Sequence, residues 1–130
     1  MGTMSTVRTY AGVVGVVLLL LGVVGLIMQD AILFGFLNSD IIEDIIHLVT
    51  GALMAYVGFA QRDNALARMV VGVLGAIYLL VGVLGFLDAK LFGIVPTGYT
   101  TPDNIVHLLL GVLGLVVAYA LPTTDTTVTT

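Results

Sequence analysis

The chain has 130 residues, 59% of them hydrophobic and only 9% charged, with a net charge of −4. A soluble domain carries about 25% charged residues, so this composition cannot cover a water-exposed globule, and the acidic balance speaks against nucleic-acid binding. Without cysteine, the chain by itself offers no disulfide, thiolate nucleophile or iron–sulfur ligand.

Four stretches reach or approach the ~18 apolar residues that read as a transmembrane helix: 11–28, 41–60, 67–87 and 102–121. The first follows Arg8 as a secretory signal would, but it is long and lacks a small-residue cleavage site after it, so it reads as a span. The second opens with Asp40 and Glu43 at capping-box spacing. The fourth opens with Thr101 ahead of Pro102, a capping hydroxyl followed by proline at the first helical position. Pro122 stops that helix, and residues 122–130 form a short polar, Thr-rich tail read as disordered.

The cations are Arg8, Arg62, Arg68 and Lys90, and three of the four precede span one or lie between spans two and three. The positive-inside rule then places both termini in the cytoplasm of a multi-pass plasma-membrane protein. Asp30, Asp40, Glu43, Asp44, Asp88 and Asp103 fall at the opposite, outer end.

A shift of sixty positions superposes Gly12, Gly15, Gly22 and Gly25 on Gly72, Gly75, Gly82 and Gly85. The same shift carries His47 and Gly51 onto His107 and Gly111, and these are the two histidines of the chain. A fixed-period match marks a duplicated unit. The expected fold is all-α: a four-helix transmembrane bundle built from two parallel helical-hairpin repeats, about 8–61 and 68–121, in a single membrane domain. The loops echo each other too, Leu33-Phe34-Gly35 against Leu91-Phe92-Gly93. These apolar triplets read as interfacial anchors, with lids over the bundle mouth as the alternative. Gly12, Gly15, Gly22, Gly25, Gly51, Gly72, Gly75, Gly82, Gly85, Gly111 and Gly114 read as helix-packing positions, since small residues let membrane helices approach.

Glu43, His47, Gly51, Met54 and Gly58 share one face of span two; Asp103, His107, Gly111, Gly114 and Ala118 share the same face of span four. Each histidine lies roughly 9–10 Å below the outer end of its helix at ~1.5 Å per residue. Polar groups at membrane depth face the bundle interior, so His47 and His107 are expected to face each other, with Glu43 reaching His47 and Asp103 reaching His107 one turn away. Asp44 and Asn104 complete the candidate ligand or proton site. Tyr78, near mid-membrane, needs a partner for its hydroxyl.

The segment from Asp103 to Gly111, the Leu-Phe-Gly loop and the Gly-x-x-Gly apolar runs resemble small four-span membrane proteins of a domain-of-unknown-function family of actinobacterial and haloarchaeal type. Asp44 stands where the second copy has Asn104, so the Asn-x-x-His-x-x-x-Gly element is degraded in the first copy. The resemblance implies a four-helix membrane fold and no activity; the few lysines suit a haloarchaeal source.

No soluble-enzyme motif is present. The leading expectation is therefore a non-enzymatic packing, assembly or accessory subunit in the lipid bilayer, with no cofactor, able to form a homo-oligomer or join a larger membrane complex. The alternatives use the histidine pair: haem ligated by both imidazoles, a divalent metal held by the histidines and the acids, or an outward-facing proton-responsive site. Ring nitrogens about 4 Å apart fit ligation of one ion, at ~2 Å per bond; a much larger separation, each ring paired locally, fits packing alone.

Overall fold

The computed structural model describes residues 5–29 and 32–122; Met1–Met4, Asp30, Ala31 and the Thr-rich tail from Thr123 lie outside the described residues. The elements are α1 (Thr6–Met28), β1 (Ile32–Leu33), β2 (Leu37–Asn38), α2 (Ile41–Ala55), α3 (Asn64–Leu87) and α4 (Thr101–Leu115). α2 and α4 each continue through a widened π turn, Tyr56–Ala60 and Val116–Ala120. Counting those turns, four helices are long and apolar enough to cross a membrane. The result is an all-α bundle, with one two-residue antiparallel ribbon pairing Ile32 with Asn38 and Leu33 with Leu37.

Each helix starts on a side-chain oxygen that satisfies an orphan amide. Ser5 Oγ accepts from the Arg8 amide, Asp40 from the Glu43 amide, Asp63 from Ala65 and Leu66, and Thr100 from Asp103. The cap of α4 is thus Thr100, one residue before the threonine expected from sequence. Pro102 then falls at the second helical position, where its missing N–H is still one of the orphans.

α1 packs chiefly against α2, and α3 chiefly against α4. Glycine makes both contacts close. A Cβ built on Gly51 would lie 2.8 Å from the Leu19 nitrogen, and one on Gly15 2.5 Å from the Ala55 nitrogen. On the other side, a Cβ on Gly111 would lie 2.5 Å from the Leu79 nitrogen. Real Cβ atoms do not approach backbone that closely, so these helices touch backbone to backbone.

The two hairpins meet more sparingly, and polar bonds tie them. Tyr10 donates to the Leu110 carbonyl at 3.1 Å, linking α1 to α4. Thr50 and Tyr78 hydroxyls lie 2.8 Å apart, linking α2 to α3. Because the Thr50 hydroxyl donates to the Ile46 carbonyl, Tyr78 is the donor in that pair. The shared apolar core contains Val7, Ala11, Leu18, Met54, Val57, Val71, Leu74 and Val117.

The long loops, 29–40 and 88–100, lie at one end of the bundle, and the short turn Gln61–Asp63 at the other. In each Leu-Phe-Gly triplet the leucine is buried and the phenylalanine exposed. Phe34 and Phe92 take left-handed backbone, φ 54° and 59°, followed by left-handed Gly35 and Gly93. Thr97 donates its hydroxyl to Asp40 at 2.9 Å, and Thr100 donates to the Phe36 carbonyl at 2.7 Å, so the loops are laced together.

Valine at Gly51 or Gly111 is expected to destabilise the bundle by about 1–3 kcal/mol through overpacking. Valine at the exposed Ala52 should be nearly silent. Detergent-solubilised thermal unfolding of the three variants checks this.

Candidate functional site

Glu43 occupies the third position of α2, one turn after the Asp40 cap. In a complete capping box its side chain would fold back to the cap amide. Here Asn38 Oδ1 accepts from the Asp40 amide instead, at 3.2 Å. The Glu43 side chain is free to enter the bundle, where it is 1% exposed.

There it meets both histidines. Glu43 Oε1 lies 3.0 Å from His47 Nε2 and 3.5 Å from His107 Nε2. Its other oxygen accepts from the Tyr99 hydroxyl at 2.7 Å. One carboxylate therefore joins α2, α4 and the loop before α4. One ligand atom each from Glu43, His47 and His107 lies within 4.8 Å of the others, a set that could hold a metal ion. The Tyr99 ring packs edge-on against the His107 imidazole with centroids 4.7 Å apart, and Tyr78 approaches the same imidazole at 5.6 Å.

Each imidazole that donates from Nε2 keeps a lone pair on Nδ1. Both Nδ1 atoms are buried and have no protein partner. Tyr99 lies outside the helices, and burial together with the Glu43 carboxylate pushes its phenol above the ordinary tyrosine range. It therefore stays a donor.

The other sequence candidates go elsewhere. Asp103 was expected to reach His107; instead its Oδ2 accepts from the amides of Thr100 and Asn38, at 2.8 and 2.9 Å, and closes the capping box of α4. Its side chain is one methylene shorter than glutamate, and its oxygens are used at the helix start. Asp44 accepts from Ser39 Oγ at 3.0 Å and packs on Gly25. Asn104 packs on Gly85, with Oδ1 unpartnered. So Glu43, His47 and His107 gather, while Asp44, Asp103 and Asn104 frame them. Sequence reasoning missed Tyr99: it lies in a loop, off any helical period, and brings no repeat partner.

The glycine positions serve both the packing and the site. Gly22 and Gly82 admit Leu48 and Leu108, the residues that follow each histidine. Gly12 and Gly72 admit the rings of Phe59 and Tyr119, Gly75 meets the Gly111 carbonyl, and Gly114 meets Gly75.

Glu43→Ala leaves two imidazoles and a phenol without their acceptor, and a buried group deprived of its partner costs about 1–3 kcal/mol. It is expected to be more destabilising than His47→Ala. Tyr99→Phe should cost about 1.5–3 kcal/mol at neutral pH, as a hydrogen bond to a carboxylate. Because the folded phenol titrates above its unfolded value near ~10, its contribution is full below that pH and lost as pH rises beyond it. Unfolding midpoints between about pH 8 and 11 should fall more steeply for the unaltered protein than for Tyr99→Phe.

No curated protein and no solved structure matches this chain. The family model described as a domain of unknown function (DUF4383) matches residues 1–60. The chain is thus similar to that family over its first hairpin, which contributes Glu43 and His47, while Tyr99 and His107 come from the second.

Proposed function

We propose that this protein is an integral membrane protein whose working part is a buried site for a divalent first-row transition metal. The carrying observation is the convergence of Glu43 Oε1, His47 Nε2 and His107 Nε2 within 4.8 Å. Two imidazoles and one carboxylate suit such metals and leave coordination positions open. The measured edges of 3.0 and 3.5 Å bracket the ~3.3 Å spacing that follows from tetrahedral ligands about 2 Å from an ion. Tyr99 on the second carboxylate oxygen is the kind of outer partner that orients a metal-binding carboxylate.

A hollow of about 340 Å³ at the long-loop end, lined by Gln29, Ser39, Asp40, Asp44 and Thr97, supplies an acidic approach. The geometry favours an ion over haem. The Glu43 carboxylate stands against both Nε2 atoms, in the space a porphyrin would need. A purely structural tie is the second reading, favoured by the same carboxylate joining α2, α4 and the loop before α4.

In this proposal the two hairpins are parallel copies in the plasma membrane, with both termini cytoplasmic and the site in the outer half. Two observations support it. Gly12 meets Phe59 and Gly72 meets Tyr119, while Gly22 meets Leu48 and Gly82 meets Leu108, all sixty residues apart. Arg62 and Arg68 flank the short turn, where the positive-inside rule puts cytoplasm. The site serves an accessory or assembly role, with the ion holding the hairpins together.

Elemental analysis after loading with Zn²⁺, Fe²⁺, Co²⁺ or Mn²⁺ and desalting tests the reading. About one ion per chain is expected for at least one metal, lost in Glu43→Gln and His107→Ala and retained in Asp88→Asn. Tyr99→Phe should weaken binding about 10–100-fold. An ion at 100 times its Kd should add roughly 2.7 kcal/mol to unfolding. Equal metal content in the unaltered protein and Glu43→Gln would leave only the structural tie.

A further inference from the structure

The bundle is not closed on the seam between α1 and α4. A cavity of about 340 Å³ lies there, lined by apolar residues of both helices, with Leu33, Leu37 and Asn38 of the ribbon closing it toward the long loops. Val13, Val17 and Val106 on its rim are exposed on the outside of the bundle, on helices long and apolar enough to cross a membrane. In a bilayer that rim meets hydrocarbon, so an occupant arrives dissolved in lipid.

Its inner wall includes both imidazoles. This is an unusual wall for an apolar cavity, because His107 is 3% exposed and both rings carry a buried Nδ1 without a protein partner. Buried polar atoms are almost always paired. When both Nε2–H groups donate to Glu43, each Nδ1 is an acceptor and calls for a donor from outside the chain. The volume sets the size. An apolar cavity of about 150 Å³ holds one benzene, so this one holds a substituted six-membered ring with the start of a tail. It also falls within the ~300–1,000 Å³ range of small-molecule sites.

We propose that this crevice binds a lipid-soluble phenol or quinol, its ring hydroxyls donating to the histidine Nδ1 atoms and its aliphatic tail leaving between α1 and α4. The site uses the imidazole nitrogens opposite to those proposed for the metal. It goes beyond the metal reading and does not rest on it, and the metal-free protein is the form that presents acceptors.

The test uses chelator-stripped full-length protein in nanodiscs, with 2-decyl-1,4-hydroquinone kept reduced and decylbenzene as the probe lacking hydroxyls. Saturable binding of the hydroquinone is expected, at least about 10-fold tighter than decylbenzene, which corresponds to 1.4 kcal/mol. Val17→Trp fills the mouth without touching Glu43, His47 or His107. It should weaken hydroquinone binding about 10-fold or more while leaving the unfolding midpoint and the loaded metal content unchanged. Equal affinity for the two probes, or hydroquinone binding indifferent to Val17→Trp, overturns the proposal whatever the metal analysis shows.

Discussion

One carboxylate organises the interior. A charge-bearing side chain at membrane depth is tolerated when it faces inward and is met by partners, and Glu43 is met by two imidazoles and a phenol. Those donors come from α2, from α4 and from the loop before α4. The hairpins otherwise share a modest apolar core and a few hydroxyl bonds. The relative placement of α2 and α4 at the long-loop end therefore depends on satisfying this one group. Nothing in lipid could substitute for the missing donors.

The division of labour between the second helices follows from their caps. Glu43 and Asp103 stand sixty residues apart at the same helical position, yet one enters the core and the other stays at the helix start. Where Asn38 accepts from the Asp40 amide, the capping role of Glu43 is already filled. Where the Thr100 amide has no such neighbour, Asp103 accepts from it and from the Asn38 amide as well. Asn38 thus acts on both sides, freeing one acid with its side chain and occupying the other with its backbone.

Much of this was legible in the chain. Four apolar runs gave four helices, the glycine spacing gave the faces that touch, and the acid–histidine spacing gave an inward ligand pair on α2. What could not be read was which acid would serve the second histidine. Helical periodicity treats Glu43 and Asp103 alike, and the difference lies in contacts between residues 65 apart. Tyr99 escaped for a related reason: a loop residue has no period, and its hydroxyl finds Glu43 across 56 residues of sequence. The backbone of the Leu-Phe-Gly triplets was also hidden, because left-handed leucine and phenylalanine run against local preference.

The π turns that end α2 and α4 carry a consequence for how these helices can vary. A π turn accommodates one extra residue within a helix. Deleting a residue from Tyr56–Ala60 would let the turn tighten to α, and each residue of α-helix turns the chain by about 100°. Gly58 would then leave the face where a Cβ would sit 2.5 Å from the Gly12 nitrogen, and a bulkier neighbour would rotate toward α1. The second helix of this hairpin is therefore fixed in phase as well as in length. Insertions and deletions should be confined to the loops, and the widened turn is the place where the helix keeps its register with the glycine opposite.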